Sequence, residues 1–303
     1  IYEQGGREEM CGITGILAFN DPAHPKLEKI KQATGALHLR GPDAEGFFAH
    51  HRCRLGHRRL SIIDISDAGS QPFQDASGRY TIVFNGEFFN FGEHRELLKR
   101  QGHAFRSGSD TEVLLELFVR EGPACLNKVN GFFAFAVYDS LEESLFIARD
   151  RFGVKPLFIY QDEEVLAFAS ETKSLMAYGI PRVLNSRSLN AYFHLNYLPG
   201  AESILCNVRK LLPGHYVILK GHAVHEVQWY RIPDYRSSSD TPSIANSGKQ
   251  LHDLLDQAVQ QRLVSDVPLG AFLSGGIDSS AIVALASRHT RELNTFSIGL
   301  RAE

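Results

Sequence analysis

The spacing of short apolar runs between residues 80 and 170 limits the fold of this chain more than any other feature. Runs typical of β-strands lie at 80–91, 131–139, 144–150, 156–162 and 164–170. Several of them are only a few residues apart, whereas a crossover between parallel strands needs about a dozen residues or more. The spacing therefore predicts hairpins and antiparallel pairing rather than a wound parallel sheet.

Two other segments follow a helical period. Apolar residues recur every three or four positions in 25–37 and in 111–122. Helices added to antiparallel strands with short connections predict an α+β domain.

The character of the chain changes at 231–243, a polar segment containing Ser and Pro that is typical of a linker. Beyond it come an amphipathic helical pattern, an apolar run, a Gly-rich turn, a second helical pattern and the apolar run 295–300. This order is typical of nucleotide-binding α/β units. We predict a non-mature extension at 1–10, a first domain at 11–230, a linker at 231–248 and the beginning of a second domain at 249–303.

The second domain contains too few strands for a parallel sheet covered on both faces. The sequence therefore predicts that this chain is a fragment of a longer protein, which continues beyond Glu303.

Charge and cysteine content limit the kinds of molecule that the protein is expected to bind. A formal net charge of -3 argues against a nucleic-acid or membrane-binding surface and favours a small-molecule substrate. The 4 cysteines lie far apart without metal-ligand spacing, and we find neither a secretory signal nor an apolar run long enough to span a bilayer. We expect a cytoplasmic enzyme, and the sequence leaves its oligomeric state open, with a homodimer as the assembly considered.

Cys11 directly follows Met10. A thiol with an ordinary pKa of about 8.5 needs a base to act as a nucleophile at neutral pH. If Met10 is removed, the α-amine of Cys11, with a pKa of about 7.7–8.0, can be that base. The alternative is that Cys11 is a small buried hydrophobe in a first strand.

Three further stretches contain residues that suit a catalytic site. Asn85-Gly86 interrupts an apolar run, either as a hairpin turn or as two donors of an oxyanion hole. Asp110 stands at a predicted helix start, either as a cap or as a carboxylate for a substrate ammonium group. Arg59 is either a solvated surface charge or part of the same site.

The stretch "LSGGIDSS" at 273–280 lacks the Gly-Lys-Ser/Thr ending of a Walker loop. Gly275 and Gly276 allow backbone N–H groups to approach an anion closely, and serine hydroxyls stand at the start of the following helix. We predict a phosphate site rather than a simple Gly-Ser turn.

Together these stretches closely resemble the class II glutamine amidotransferases, which are N-terminal-nucleophile hydrolases, and within them the asparagine-synthetase branch. The resemblance spans most of 11–216 and rests on these motifs: "MCGITGI", "LRGPDAEG", "HRRLSIID", "NGEFFN", "GSDTE", "GFFAFAVYD", "RDRFGVKPLFIY", "SETKSL" and "LLPGHY". It implies a four-layer αββα sandwich. The stretch 273–280 resembles the PP-loop of ATP pyrophosphatases, and the block 264–285 around it resembles the asparagine-synthetase family. The beginning of an α/β nucleotide-binding domain is therefore expected there.

The resemblance assigns roles by position. It implies that Cys11 is the nucleophile and that Arg59 binds the glutamine α-carboxylate. The Asn85 side chain and the Gly86 N–H would hold the oxyanion, and Glu87 and Asp110 the α-ammonium group. It implies an ATP site in the second domain formed by Leu273, Ser274, Gly275, Gly276, Asp278, Ser279, Ser280 and Ile298. Asp278 would be associated with Mg²⁺, and Leu273 and Ile298, which could equally be core residues, would touch the adenosine.

The function implied is that of a glutamine-dependent asparagine synthetase. Ammonia from glutamine would amidate aspartate that ATP has activated as an acyl-adenylate. Alternatives are another carboxylate acceptor, such as a peptide or a sugar-linked acid, and a glutamine sensor with a blocked Cys11. A β-lactam-forming relative is disfavoured by Cys11, and a phosphosugar amidotransferase by "SGGIDSS". Residues 1–10 depart from the family pattern, and we expect an upstream stretch absent from the mature enzyme rather than a true propeptide.

Overall fold

The computed structural model describes residues 10–22, 24–234 and 243–299. Most of the predicted extension, the middle of the linker at 235–242 and residues 300–303 lie outside this part of the chain. The described residues divide into two compact units, with the division between Arg231 and Ile232.

The first unit contains two six-stranded sheets in which every pairing is antiparallel. In spatial order, the first sheet is β10 (Val208–Lys210), β8 (Phe158–Gln161), β9 (Val165–Ala169), β1 (Gly12–Ala18), β3 (Cys53–Arg59) and β2 (Ala44–His50). The second sheet is β12 (Ala223–Gln228), β11 (His215–Lys220), β7 (Ser144–Arg149), β6 (Gly131–Asp139), β5 (Tyr80–Phe88) and β4 (Phe73–Gln74).

The predicted strand runs are confirmed. The five runs form β5, β6, β7, β8 and β9, and neighbouring runs pair as hairpins, since β6 pairs with β7 and β8 with β9. Short connections leave no room for a crossover helix, which is why the pairing is antiparallel.

Five helices accompany these sheets: α1 (Ile30–Gly35), α2 (Phe91–Arg100), α3 (Asp110–Glu121), α4 (Thr172–Ala177) and α5 (Ser186–Leu195). The predicted helix at 111–122 is α3. The predicted helix at 25–37 is shorter, because Pro25–Lys29 forms a 3₁₀ turn and α1 ends at Gly35. Glycine has the lowest helix propensity of any residue except proline, which suits a helix end.

Three buried clusters separate four layers. One lies between the two sheets, with Ile13 and Leu55 from the first sheet and Val83 from the second. Another packs α2 and α3 on the outer face of the second sheet, and a third packs α1 and α4 on the outer face of the first. The predicted four-layer αββα sandwich is confirmed.

The second unit contains α6 (Ile244–Gln261), β13 (Gly270–Phe272), α7 (Ile277–His289) and β14 (Asn294–Phe296). β13 and β14 pair in parallel, with Phe272 opposite Phe296, and α7 is the crossover between them. The predicted order of strand, Gly-rich loop, helix and strand is present.

Within the described residues, every helix is too short or too polar to cross a membrane.

Candidate active site

The topology brings distant segments together at one end of the sandwich. Cys11 precedes β1 and Arg59 ends β3, and because these strands are antiparallel neighbours, with Gly12 opposite Arg58, the two residues lie at the same sheet edge. A cavity of about 190 Å³ opens there. All six residues predicted for glutamine chemistry line it: Cys11, Arg59, Asn85, Gly86, Glu87 and Asp110.

Cys11 lies in the cavity wall, and its side chain is partly exposed. The Leu60 N–H donates to Cys11 Sγ at 3.4 Å, and the Arg40 Nε donates to the Cys11 carbonyl oxygen at 3.1 Å. Burial raises the pKa of the thiol, whereas the Leu60 backbone and the nearby cations of Lys155 and Arg59 lower it. The thiol therefore needs a base or more positive charge to ionise at neutral pH.

Asn85 and Gly86 lie inside β5, opposite Ala134 and Phe133 of β6, so the hairpin-turn alternative is excluded. Asn85 is 1% exposed, and neither its Nδ2 nor its Oδ1 has a hydrogen-bond partner among the described residues. An unpaired buried amide costs about 1–3 kcal/mol, so a ligand is expected to satisfy it. Gly86 is required by close strand packing, because a Cβ there would lie 2.2 Å from the Phe132 carbonyl oxygen.

Arg59 is buried rather than solvated. Its guanidinium donates to the carbonyl oxygens of Ser66 at 2.9 Å and of Asp64. These bonds fix the loop after β3. The Asp64 carboxylate is an acidic neighbour of Arg59, since the guanidinium helps to lower its pKa. Arg59 also lines the cavity, where its guanidinium can contact an anion.

Asp110 is the first residue of α3, but it does not cap the helix. Ser109 is the cap, since its Oγ accepts from the Thr111 N–H at 3.1 Å. Asp110 Oδ2 instead accepts from the Phe88 N–H at 3.0 Å, at the end of the strand that carries Asn85. Burial, together with the neighbouring Glu87, raises the pKa of Asp110 to about 6. Two carboxyl groups therefore line the same cavity, where a carboxylate can pair with a cation.

Sequence reasoning missed three contributors to this cavity, namely Gln71, Thr111 and Lys155. Gln71 Oε1 accepts from the Phe84 N–H at 2.6 Å, and its Nε2 donates to Thr111 Oγ1 at 3.2 Å, so it connects β5 to α3 beside Asn85. Lys155 belongs to the motif "RDRFGVKPLFIY", and no periodicity or spacing in that motif distinguishes its lysine from a surface charge.

His57 lies between the sheets and is 1% exposed. Its Nε2 is 3.2 Å from the Phe84 carbonyl oxygen, and burial lowers its pKa to about 3. It therefore stays neutral and connects the strand ending in Arg59 to the strand carrying Asn85.

The predicted phosphate loop lies between β13 and α7. Gly275 has a φ of 82°, a left-handed conformation that favours glycine, and Gly276 is the N-cap of the 13-residue α7 without a side-chain cap. Ser274 Oγ is 3.1 Å from Ser279 Oγ, while Asp278 and Ser280 lie exposed in the first turn. Leu273 pairs its N–H with the Phe296 carbonyl oxygen at 2.8 Å, and the Ile298 side chain is 87% exposed.

Comparison with known proteins identifies the family. Residues 10–230, most of the chain, match the family described as "Glutamine amidotransferase domain". This chain belongs to the glutamine amidotransferase family. Residues 250–303 match the family described as "Asparagine synthase", so the amidotransferase domain is followed by part of a synthase domain.

Several relatives of this amidotransferase have been named. "Asparagine synthetase [glutamine-hydrolyzing] 3" of Bacillus subtilis is 35% identical, over 95% of this chain and 48% of its own length. "Putative asparagine synthetase [glutamine-hydrolyzing] 2" of Methanocaldococcus jannaschii is 35% identical, over 97% of this chain and 60% of its own. A protein of Gibberella zeae named "Amidase chry2" is 32% identical over 92% of this chain. The chain spans about half the length of the curated relatives it matches.

Among solved structures, the glutamine phosphoribosylpyrophosphate amidotransferase of B. subtilis superimposes with a TM-score of 0.56 and 18% identity, over 95% of this chain and 65% of its own. This likeness concerns the fold, and it agrees with the four-layer sandwich described above.

Proposed function

We propose that the first unit hydrolyses glutamine and that Cys11 is the nucleophile. Its sulfur attacks the side-chain amide carbon, the amide nitrogen takes up a proton and leaves as ammonia, and water then cleaves the thioester to glutamate and free thiol. Arg59 binds the α-carboxylate, and Asp110 and Glu87 bind the α-ammonium group. This arrangement matches each charged end of glutamine with the opposite charge in the cavity.

The base in this proposal is the α-amine of Cys11. It exists only after Met10 and the residues before it have been removed, because a peptide nitrogen is not basic. Met10 itself lies in the cavity wall. N-terminal sequencing of active protein should therefore begin at Cys11, and full activity in protein that retains Met10 would require another base.

The unpaired amide of Asn85 is the observation that carries this proposal. It lines the same cavity as Cys11, is buried and has no partner among the described residues. A buried hydrogen-bond donor that is already in place can stabilise the oxygen of the substrate amide, which becomes negatively charged when the thiol attacks. The Gly86 N–H is proposed as the second donor.

The experiment measures release of glutamate from glutamine by protein that begins at Cys11. Cys11→Ala should abolish release without changing the unfolding transition. Cys206→Ala is the matched control, because Cys206 is also a partly exposed free cysteine but does not line the cavity. Equal loss in both variants, or undiminished hydrolysis by Cys11→Ala, would contradict the proposal.

We further propose that the ammonia serves an ATP-dependent ligase reaction. The loop from Leu273 to Ser280 suits phosphate groups, because the open N-terminal end of α7 carries Gly276 without a side-chain cap and hydroxyls at Ser274 and Ser279. ATP bound there would activate a carboxylate. Asp278 suits Mg²⁺, which is usually held by one or two carboxylates together with substrate phosphates, and no protein-only metal cluster occurs among the described residues.

Aspartate is the acceptor that we propose, giving the overall activity of a glutamine-hydrolysing asparagine synthetase in a cytoplasmic setting. The relatives named as asparagine synthetases support it. The second candidate is a different carboxylate acceptor, such as a peptide or a sugar-linked acid, since one relative carries a name other than asparagine synthetase. An assay of the complete protein with ATP, Mg²⁺, free ammonia and a series of carboxylates, followed for AMP, distinguishes the two. AMP formation with other acids but not with aspartate would exclude asparagine synthesis.

A further inference from the structure

Lys155 is a buried lysine held in the wall of the catalytic cavity by a rigid loop between β7 and β8. It is 6% exposed. Its backbone is fixed on both sides, since its N–H donates to Asp150 Oδ2 at 3.0 Å and its carbonyl oxygen accepts from Arg149 Nε at 2.8 Å. The position of its side chain is therefore built into the fold.

The ammonium group of Lys155 has a weak hydrogen-bond acceptor. Among the described residues it donates only to the Met10 thioether, at an Nζ to Sδ distance of 3.1 Å. Lysine has three N–H donors, and a thioether is a weak acceptor. A buried charge is costly unless it is paired, so this cation should have a further role in the cavity.

The charged groups around Lys155 come from several elements. Burial lowers the pKa of Lys155, and Arg40, after α1, lowers it as well, whereas Glu87 of β5, Cys11 and Asp150 of its own loop raise it. The pKa of Cys11, which burial raises, is in turn lowered by Lys155 and Arg59 and raised by Asp110. Lys155 and Cys11 therefore interact electrostatically, in the presence of these other charged groups.

Bound glutamine would change this balance. In the binding mode proposed above, the substrate α-carboxylate compensates Arg59, and its α-ammonium group compensates Asp110 and Glu87. Glutamine has no third charged group. Arg40, the other cation of this set, forms an ion pair with Glu171 at 3.3 Å, so Lys155 is the cation that we expect to balance negative charge on sulfur.

We infer that Lys155 is a positioning residue whose ammonium group stabilises the Cys11 thiolate. A role of Lys155 in catalysis rests on the proposed glutaminase function. The charge interaction between Lys155 and Cys11 does not, because its effect on the thiol can be measured without substrate.

The experiment follows alkylation of Cys11 by iodoacetamide as a function of pH, in the full chain, with the modified peptide quantified by mass spectrometry. Lys155→Met removes the charge while keeping a long apolar side chain, and Lys155→Arg keeps the charge. We expect Lys155→Met to raise the midpoint of the Cys11 profile by about one pH unit, which slows alkylation about tenfold at every lower pH. Lys155→Arg should remain close to wild type.

Cys206, which lies outside the cavity, is the internal control and should react alike in all proteins. If Lys155→Met does not fold, Lys155→Gln provides the same comparison. An unchanged Cys11 profile in the neutral variant would overturn the inference, as would equal slowing in Lys155→Met and Lys155→Arg, which would indicate packing rather than charge. A shifted profile in protein that hydrolyses no glutamine would support the inference and reject only the proposed function.

Discussion

At the scale of single residues, the cavity contains buried polar groups that the fold alone does not favour. The Asn85 amide is unpaired among the described residues, and burial raises the pKa of the Asp110 carboxyl group. Each of these costs stability in the protein without ligand. Such costs are typical of sites organised for a substrate rather than for the fold alone.

Asn85→Ala should lower the turnover of glutamine about 10²–10³-fold, the usual cost of one oxyanion donor. Because this donor acts mainly in the transition state, KM should change little. Steady-state kinetics of protein beginning at Cys11 provides the measurement. A loss of less than about tenfold with unchanged KM would remove Asn85 from the oxyanion site.

Glutamine should bind more weakly as the pH falls below about 6, the pKa of buried Asp110. Protonation removes the negative charge that the α-ammonium group needs, so the dissociation constant should rise about tenfold per pH unit below that value. Calorimetric titration of the Cys11→Ala protein measures binding without turnover. In Asp110→Asn, binding should be weak and nearly independent of pH across this range, and a wild-type profile in that variant would exclude the assignment.

At the scale of elements, β5 is the strand on which the site depends. It carries Asn85, Gly86 and Glu87, pairs with β6 along its whole length, and ends at Phe88, whose N–H holds Asp110. Packing of β5 against its neighbours therefore positions three of the proposed groups at once.

Gly86→Ala should destabilise the protein by about 1–3 kcal/mol, the usual cost of overpacking. The added Cβ would lie 2.2 Å from the Phe132 carbonyl oxygen and force β5 away from β6. Gly92→Ala, at the start of α2, is the matched control, since a Cβ there meets no atom within 4 Å and alanine favours the helix. Urea unfolding measures both, and equal stability of the two variants would contradict the close approach.

Burial of His57 should make stability depend on pH, because it lowers the pKa of the imidazole. Folded His57 stays neutral to about pH 3, whereas the unfolded chain binds a proton near pH 6.5. The unfolded state therefore holds more protons between these values, and the free energy of unfolding should fall by about 1.4 kcal/mol per pH unit as the pH decreases below 6.5.

The His57→Gln variant should lose this contribution to the pH dependence of the free energy of unfolding. Urea unfolding at pH 5 and pH 7 measures the difference between the two proteins. Asp110 acts in the opposite direction over part of the range, because its raised pKa stabilises the fold as the pH falls. It is present in both proteins and cancels in the comparison. Identical slopes would mean that His57 takes up its proton in the folded state as well.

At the scale of the whole molecule, the proposed glutamine site lies within the first unit. The cavity is lined by residues between Met10 and Lys155, and three buried clusters complete this unit among the described residues. We therefore expect a protein of residues 11–231 to fold and to hydrolyse glutamine at a rate comparable to a protein of residues 11–303. Circular dichroism and glutamate release test this, and a folded but inactive protein would show that residues after 231 contribute to hydrolysis.

The sequence by itself determined the elements and the chemistry available to them. Runs such as 131–139 and 144–150 identified β6 and β7, because strand periodicity and short spacing are local properties of a chain. Motif resemblance identified the family and nominated the six residues that line the cavity. For the Asn85-Gly86 pair, however, the residues alone left two alternatives, since a turn and a strand interior can share the same dipeptide.

Only the tertiary structure decided between such alternatives. It put Asn85 inside a paired strand with an unsatisfied amide, gave the helix cap to Ser109 rather than Asp110, and brought Lys155 beside Cys11 across 144 residues of sequence. Burial, desolvation and the pairing of charges depend on which distant segments meet. No local pattern contains that information, because the contacts arise when the two sheets pack face to face.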